Sequence, residues 1–239
     1  VSPFTVLSMP NFNSKDHLKV ATNWSEQIKI KPLSKVSAPI KNKLTIGYLS
    51  ADFRNHPLYY LIFDILKSHN KKMFNIKLFY SGPDEASSKH AEFKKLDCQF
   101  FNISNESDDK GAQLIRDEKV DILVDLSGFT QNSRSFIAAY KPARYHINWL
   151  GFAGTMGFHH EKPLFDFILS DKYIIPDGKI NDYAEKVLYL PHCYQPNIAD
   201  RPKLTSKTKR DYGFNDHTFI YASFSQPIKI TKDQFNIWI

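Results

Sequence analysis

The stretch LTIGYLSADFRNHP, from Leu44 to Pro57, decides the fold class of this chain. Its first half, Leu44 to Ser50, is apolar and β-branched, which is typical of a buried strand. A polar turn from Asp52 to Pro57 follows, and apolar residues then recur with helical spacing at Leu58, Leu61, Ile62, Ile65 and Leu66. The stretch therefore predicts a strand, a loop and a helix in succession.

The same succession recurs up to about residue 190. Further strands are predicted over Ile76–Tyr80, Gln99–Ile103, Asp121–Asp125, His146–Leu150, Phe167–Leu169 and Val187–Leu190, and further helices near Ser88–Leu96, Asp108–Glu118 and Arg134–Tyr140. The almost wholly apolar run Asp121–Asp125 is typical of a parallel sheet covered on both faces. Strands alternating with helices imply right-handed crossovers, so we predict an α/β fold with a Rossmann-like parallel sheet.

The pattern breaks at Pro191, where a polar, basic, proline-punctuated stretch begins. We therefore expect an N-terminal connector over residues 1–42, a Rossmann-like lobe over 43–190 and a linker over 191–217. Residues 218–239 would then begin a second α/β lobe, with a buried strand over Thr218–Phe224 and a helix from its N-cap Thr231 to Ile239. The absence of an initiator Met and the apolar end of the chain favour a piece of a longer protein.

The composition is typical of a water-soluble globular protein, with 42% hydrophobic and 24% charged residues. No apolar run approaches the roughly 18 to 20 residues of a membrane span, and no signal peptide is visible. The two cysteines are too few for a disulfide framework and favour a reducing compartment. We therefore predict a cytoplasmic protein without a membrane partner.

The net charge of +7 arises largely from two segments rich in Pro and Ser, around Lys29–Lys43 and Lys203–Arg210. We interpret both as solvated connectors. A nucleic-acid interface would interleave aromatic and basic residues on a regular element, or show a known reading module. Neither pattern is present, so we predict no nucleic-acid partner.

Four predicted loops follow strands at the edge of the sheet where ligands bind. They are Asp52–His56, Ser127–Thr130, Gly151–Gly157 and Ser225–Lys229. Together they offer a titratable histidine, small hydroxyls, backbone beside glycines and a cation. This combination suits a phosphorylated, polar ligand such as a sugar nucleotide.

Several other classes of site lack their motifs. The chain contains no GxxxxGK[ST] loop, no GxGxxG and no GxSxG elbow. It also lacks the Asp-x-Asp pair with which metal-dependent glycosyltransferases hold a diphosphate through a cation. His159-His160-Glu161 has no helical metal-binding spacing. We therefore predict no metal site and no cofactor.

Five blocks in this order resemble the catalytic region of the protein O-linked N-acetylglucosaminyltransferases, a family that includes the plant SPINDLY-type proteins. The resemblance runs from about Pro3 to Ile239, and the blocks are IGYLSADFRNHP (Ile46–Pro57), DILVDLSGFTQNSR (Asp121–Arg134), KPARYHINWLGFAGTMG (Lys141–Gly157), EKVLYLPHCYQPN (Glu185–Asn197) and FSQPIKI (Phe224–Ile230).

The resemblance implies the N-terminal lobe of a GT-B glycosyltransferase, with the C-terminal lobe truncated. Such an enzyme transfers N-acetylglucosamine from UDP-GlcNAc to Ser or Thr hydroxyls of a protein or peptide acceptor, with inversion and without a metal. Tetratricopeptide repeats are expected before Val1. The fragment alone would be catalytically incomplete.

The resemblance also implies roles for individual residues. His56 matches the family histidine beside the acceptor hydroxyl, which has been considered as a base. Thr130, Leu150 and Gly151 match positions near the sugar. Gln226 and Lys229 match groups that face the diphosphate, and an ammonium there would stabilise the departing charge. We therefore predict His56 and Lys229 as catalytic.

Departures from the family leave the donor sugar open. Tyr60 stands where animal members have a second histidine, and Phe158–Leu164 contains an insertion. Two alternatives to N-acetylglucosamine transfer follow. The chain could belong to a non-catalytic truncated module, or to a transferase of the same fold that uses GDP-fucose or UDP-glucose.

Overall fold

The computed structural model describes residues 2–37, 39, 42–199 and 205–239, and the chain divides into two compact units, Val1–Ile198 and Ala199–Ile239. The strands, all in the first unit, are β1 (Leu44–Ser50), β2 (Phe74–Tyr80), β3 (Gln99–Asn102), β4 (Ile122–Asp125), β5 (Tyr145–Asn148), β6 (Phe158–His159), β7 (Lys162–Pro163), β8 (Phe167–Ser170) and β9 (Lys186–Tyr189). The helices of that unit are α1 (Pro3–Val6), α2 (Ser14–Ser25), α3 (Pro57–Ser68), α4 (Ser88–Lys94) and α5 (Asp108–Asp117), with 3-10 helices at Ser135–Tyr140 and Asp177–Asp182.

Seven strands form one parallel sheet in the order β3-β2-β1-β4-β5-β8-β9. The chain runs outward from β1 through β2 to β3, then returns past β1 to β4 and continues in the other direction. This reversal creates a topological switch point between β1 and β4, where open α/β sheets bind their ligands. The predicted Rossmann-like parallel sheet is confirmed.

Both faces of this sheet are covered. In β1, Tyr48 packs with Leu58 and Ile62 of α3 on one face. The next residue, Leu49, packs with Ile115 of α5 on the other face. Because successive side chains of a strand point to opposite faces, a strand without polar alternation needs a layer on each side.

Element boundaries differ from the prediction by a few residues. The predicted helix at Arg134–Tyr140 is a 3-10 helix that begins at Ser135. Strand β5 ends at Asn148, two residues earlier than predicted, so Trp149 and Leu150 belong to the loop that follows it.

The segment 1–42, expected to be a connector, contains a 12-residue helix, α2. Asn13 and Asp16 form a capping box at its start, which satisfies backbone donors of the first turn. Its buried face consists of His17, Ala21 and Ser25. Such small and polar residues do not produce the apolar periodicity by which a helix is found in a sequence, so the prediction missed it.

The predicted insertion at Phe158–Leu164 forms the hairpin of β6 and β7. His160 and Glu161 occupy its turn with φ of 48° and 60°, the left-handed values that a type I′ turn requires. His159 is buried and donates through Nε2 to the carbonyl of Ile28 at 3.0 Å. These side chains therefore have structural roles in the hairpin.

In the second unit, helix α6 (Lys232–Trp238) begins at the predicted N-cap Thr231, whose hydroxyl accepts from the Gln234 N–H. The strand predicted over Thr218–Phe224 is wrong, because the segment has no ladder partner in the described residues and Phe224 is fully exposed. An apolar run becomes a strand only where a neighbouring strand completes its hydrogen bonds. Short 3-10 helices lie at Arg210–Tyr212 and Pro227–Lys229.

The border between the two units falls within the stretch predicted as a linker, of which residues 200–204 lie outside the described residues. Its first part is attached to the first unit, because Trp149 Nε1 donates to the Tyr194 carbonyl at 3.0 Å and the Ile198 N–H to the Tyr60 carbonyl at 2.8 Å. Among the described helices, none has both the length and the hydropathy of a membrane span.

Candidate functional site

The loops after β1 and β4 meet at the switch point. Ser50, the last residue of β1, and Ser127, in the loop after β4, place their hydroxyl oxygens 3.5 Å apart. Both serines are buried. The predicted site residues His56 and Thr130 follow on these two loops, so the structure places their loops side by side at one edge of the sheet.

His56 is the N-cap of α3, and its Nδ1 accepts a hydrogen bond from the Leu58 N–H at 3.2 Å. Burial lowers the pKa of His56 below its usual value, although Asp52, whose carboxylate lies 3.8 Å from Nδ1, acts in the opposite direction. The imidazole is therefore neutral near pH 7. Since Nδ1 accepts, the proton of the neutral ring is on Nε2, and this atom is a hydrogen-bond donor.

Ion pairs hold the loop that leads to His56. Arg54 Nη2 lies 3.1 Å from Asp52 Oδ1, and Arg54 Nη1 lies 3.4 Å from Oε2 of Glu85, which belongs to the loop after β2. Glu85 also accepts from the Asn55 N–H at 3.0 Å. The loops after β1 and β2 are thereby joined, so the backbone around His56 is fixed from two strands.

The loop after β4 is organised by Asp125, a fully buried carboxylate. Its Oδ1 accepts from the Ser127 and Gly128 N–H groups at 2.7 and 2.8 Å, and burial raises its pKa. Further along the loop, the Thr130 hydroxyl donates to the Ser127 carbonyl at 2.8 Å. Because its proton is used in this bond, the half-buried Thr130 hydroxyl can offer a ligand only its lone pairs.

Leu150 has φ of 78° in the loop after β5, a left-handed conformation that is rare for a leucine. Such strained residues cluster at functional sites. At the adjacent Gly151, a Cβ would lie 2.2 Å from the Leu126 carbonyl oxygen, so only glycine permits this approach between the loops after β5 and β4. Leu150 and Gly151 therefore lie beside the loop that carries Thr130.

The other two glycines of the loop serve packing. A Cβ on Gly154 would lie 2.5 Å from His17 Cε1, and one on Gly157 would lie 2.4 Å from the Thr22 backbone nitrogen, both in α2. Both glycines are buried, whereas Gly151 is exposed. Of the three glycines that we expected to offer bare backbone to a ligand, Gly151 is the one that remains accessible.

Gln226 and Lys229 belong to the second unit. Gln226 precedes the short 3-10 helix Pro227–Lys229, and both side chains are exposed. His56, Thr130, Leu150 and Gly151 thus share one edge of the first unit, while the predicted diphosphate-binding pair lies in the other unit.

Sequence reasoning missed three buried polar residues that position these loops, namely Asp125, Asn148 and Glu185. Asn148 donates to the carbonyls of Phe152 and Gly154 at 3.3 and 3.1 Å. Asp125 had a local signal, because an aspartate two residues before Ser-Gly is typical of an Asx turn. The other two bond to loop atoms that no short motif indicates.

The edge of the first unit therefore combines an imidazole N–H donor, hydroxyl acceptors and a strained loop next to an exposed glycine. These uncharged hydrogen-bonding groups suit a ligand with many hydroxyls. Among the described residues, no group of three or more His, Cys, Asp or Glu side chains is arranged to hold a metal ion.

Comparison with known proteins gives concordant matches. The model of glycosyl transferase family 41 matches residues 25–207. Over 202 residues, the chain is 31% identical to the probable UDP-N-acetylglucosamine–peptide N-acetylglucosaminyltransferase SEC of Arabidopsis thaliana. Over the same length it is 30% identical to the SPINDLY protein of Oryza sativa subsp. japonica, whose name gives the same probable activity. Each match covers 82% of this chain and 20% or 21% of the relative, so the chain spans about a fifth of their length.

A solved structure has the same fold. The chain aligns with a mutant of Thermobaculum terrenum O-GlcNAc transferase with a TM-score of 0.75 and 22% sequence identity. The alignment covers 86% of this chain and 40% of that protein.

Proposed function

Because this chain belongs to glycosyl transferase family 41, we propose that it forms the N-terminal catalytic lobe of an enzyme that transfers N-acetylglucosamine from UDP-N-acetylglucosamine to Ser or Thr hydroxyls of proteins. The observation that carries the proposal is the meeting of the loops of His56, Thr130 and Leu150 at the switch point. Relatives named as peptide N-acetylglucosaminyltransferases support the choice of donor and acceptor.

Different residues would bind the sugar and the diphosphate. In the first unit, the hydroxyl of Thr130 and the backbone at Gly151 would bind the sugar. The acceptor hydroxyl oxygen would attack the anomeric carbon from the face opposite the diphosphate while the bond from that carbon to the diphosphate oxygen breaks, so the configuration inverts, and the hydroxyl proton passes to the departing UDP. Lys229 of the second unit, with Gln226, would stabilise the departing diphosphate, and such a charged group is typically worth ~3 to 4 kcal/mol in the transition state.

His56 would contribute a hydrogen bond to this reaction. Proton removal by a base needs a free lone pair, and in His56 the lone pair of Nδ1 is occupied by the Leu58 N–H. The Nε2–H group is then suited to orienting an oxygen of the acceptor or of the donor. This role differs from the base that the resemblance implied.

The test is a transfer assay with the natural full-length protein, UDP-N-acetylglucosamine and a Ser/Thr peptide in EDTA. We expect transfer to persist, because the sequence lacks the Asp-x-Asp pair, and we expect a β-linked product from the α-linked donor. Activity abolished by EDTA and restored by Mn²⁺ would contradict metal independence. GDP-fucose and UDP-glucose serve as competing donors, and a protein that uses one of them instead would have a different sugar specificity.

The Lys229→Ala variant provides a second arm of the assay. We expect turnover to fall by about 10²- to 10³-fold while thermal stability is unchanged, because the exposed side chain of Lys229 contributes little to folding. A comparable loss of stability would point to a structural role. The cytoplasmic location, the upstream repeats and the lack of a nucleic-acid partner stay predictions.

A further inference from the structure

An exposed tyrosine that the proposed reaction does not use lies one helical turn from His56. Tyr60, in the first turn of α3, is 43% exposed. The buried residues of that helix are Leu58, Tyr59, Ile62 and Leu66. Tyr60 therefore lies on the outer face of α3, and its ring keeps apolar surface that a ligand could cover.

The start of α3 explains why this ring is exposed. His56 is the N-cap, so Asn55 occupies the position before the cap and Tyr60 the fourth helical position. At many helix starts, apolar residues at these two positions pack together. Asn55 is polar and exposed, so it gives Tyr60 no apolar partner. Because helical side chains lean toward the N-terminus, the ring of Tyr60 covers the turn that carries His56.

Tyr60 is held firmly by its neighbours. Its ring meets that of Tyr59 in a T-shaped arrangement, with centroids 5.3 Å apart. Tyr59 in turn is buried, stacks on Phe63 at 4.6 Å and donates its hydroxyl to Glu92 of α4. The backbone is fixed as well, because the Ile198 N–H donates to the Tyr60 carbonyl at 2.8 Å. A rigid aromatic side chain of this kind loses little conformational entropy when it binds a partner.

The donor sugar and Tyr60 are on different sides of His56. Helix α3 packs on one face of the sheet. The loop of Thr130 leads into the 3-10 helix Ser135–Tyr140, which packs on the other face through Ile137. In the proposed reaction the sugar occupies the side of Thr130, so the side of Tyr60 is left for the acceptor.

The spacing also suits a peptide. One helical turn rises about 5.4 Å, and an extended peptide advances about 3.3 Å per residue. With the acceptor hydroxyl at His56, the residue one or two positions away in the acceptor reaches Tyr60. The face of an aromatic ring is apolar, so it favours an apolar side chain at that position.

We propose that Tyr60 is a specificity-determining residue for the acceptor, and that its ring packs against an apolar side chain within two residues of the modified Ser or Thr. The proposal rests on the proposed function, in which His56 orients an oxygen at the reacting centre. It assigns to the outer face of α3 a part in the choice of acceptor and none in the binding of the donor.

The experiment uses the full-length protein, UDP-N-acetylglucosamine and two acceptor peptides. The peptides differ only within two residues of the modified serine, where one carries leucine and the other alanine. We expect the unaltered protein to prefer the leucine peptide. Tyr60→Ala should lower kcat/KM for that peptide by about 10-fold and for the alanine peptide by less than about 2-fold. Tyr60→Phe, which keeps the ring, should retain the preference, and the KM for the donor should be the same in all three proteins.

Tyr145→Ala is the matched control. Tyr145 is 42% exposed and has an aromatic neighbour, Phe167, with ring centroids 6.0 Å apart, but it begins β5 at the amino ends of the strands. The two alanine variants therefore remove rings of similar exposure and support. In urea unfolding they should lose similar amounts of stability, and only Tyr60→Ala should lose the preference between the peptides.

The outcomes separate this proposal from the proposed function. If the unaltered protein transfers sugar but does not prefer the leucine peptide, the proposal is wrong and the proposed function stands. An equal loss for both peptides in Tyr60→Ala, or a raised KM for the donor, leads to the same conclusion. If the unaltered protein transfers sugar to neither peptide, the proposed function is overturned and the proposal with it.

Discussion

His56 caps helix α3 through Nδ1, and this contact determines what the side chain could contribute to the proposed transfer. A sequence motif identifies a histidine before a proline at the start of a helix, but it does not identify the nitrogen that carries the proton. That choice is made by the Leu58 N–H, which lies within hydrogen-bond distance only once the helix has formed. Helix capping therefore constrains the imidazole that the proposed reaction would use.

Two substitutions separate these contributions of His56. Asparagine reproduces the Nδ1 acceptor and omits the Nε2 donor, whereas glutamine reaches the Nε2 position and omits the cap. We expect His56→Gln to lose about 1 kcal/mol of folding stability and His56→Asn almost none. Transfer should fall by about 100-fold in His56→Asn and by clearly less in His56→Gln. Chemical denaturation and kcat/KM measure the two effects, and equal inactivation of both variants would instead favour a base.

At the scale of elements, helix α2 supports the loop that follows β5. Ser25 donates to the Met156 carbonyl at 2.7 Å, and Thr22 accepts from the Phe158 N–H at 3.2 Å. The helix and the loop approach so closely that the loop needs glycine at Gly154 and Gly157. A segment that the sequence suggested was a connector therefore forms part of the framework of the site.

Substitution of Gly157 tests this support. Gly157 has φ of 77°, and a Cβ there would lie 2.4 Å from the Thr22 backbone nitrogen, so Gly157→Ala combines a left-handed strain with a clash. We expect a loss of about 2 to 4 kcal/mol in urea unfolding. Gly178→Ala is the control, because no atom lies within 4 Å of its added Cβ, and it should change stability by less than about 1 kcal/mol. Equal effects of the two would show that α2 does not pack as described.

For the whole molecule, buried ionisable groups link stability to pH in both directions. His17 and Glu185 lie around the same loop, and burial disfavours the charge on each. Acid therefore destabilises the fold through His17, whereas between about pH 4.5 and 7 it stabilises the fold through Glu185. A curve of folding stability against pH, measured on the unaltered protein, would contain the contributions of both residues.

A His17→Leu variant isolates the contribution of His17 to this pH dependence. The native pKa of about 4 lies below the ordinary value of 6.5, so the stability contributed by neutral His17 is fully present above pH 6.5 and is lost as pH falls toward 4. The difference amounts to about 3 kcal/mol. Denaturant unfolding at pH 7, 5.5 and 4 should show a shallower acid loss in His17→Leu. Parallel curves for the two proteins would contradict a buried, neutral His17.

The sequence by itself determined the α/β class, the parallel sheet and the loops of the first-unit site, because strand and helix periods are local and the carboxyl ends of parallel strands share an edge. Helix α6 was also predictable from its cap at Thr231. Only the tertiary structure decided that α2 supports the candidate site, that Thr218–Phe224 has no strand partner among the described residues, and that Asp125, Asn148 and Glu185 hold the loops. These properties depend on partners distant in the sequence, since hydrogen bonds and burial are satisfied between elements that no local pattern connects.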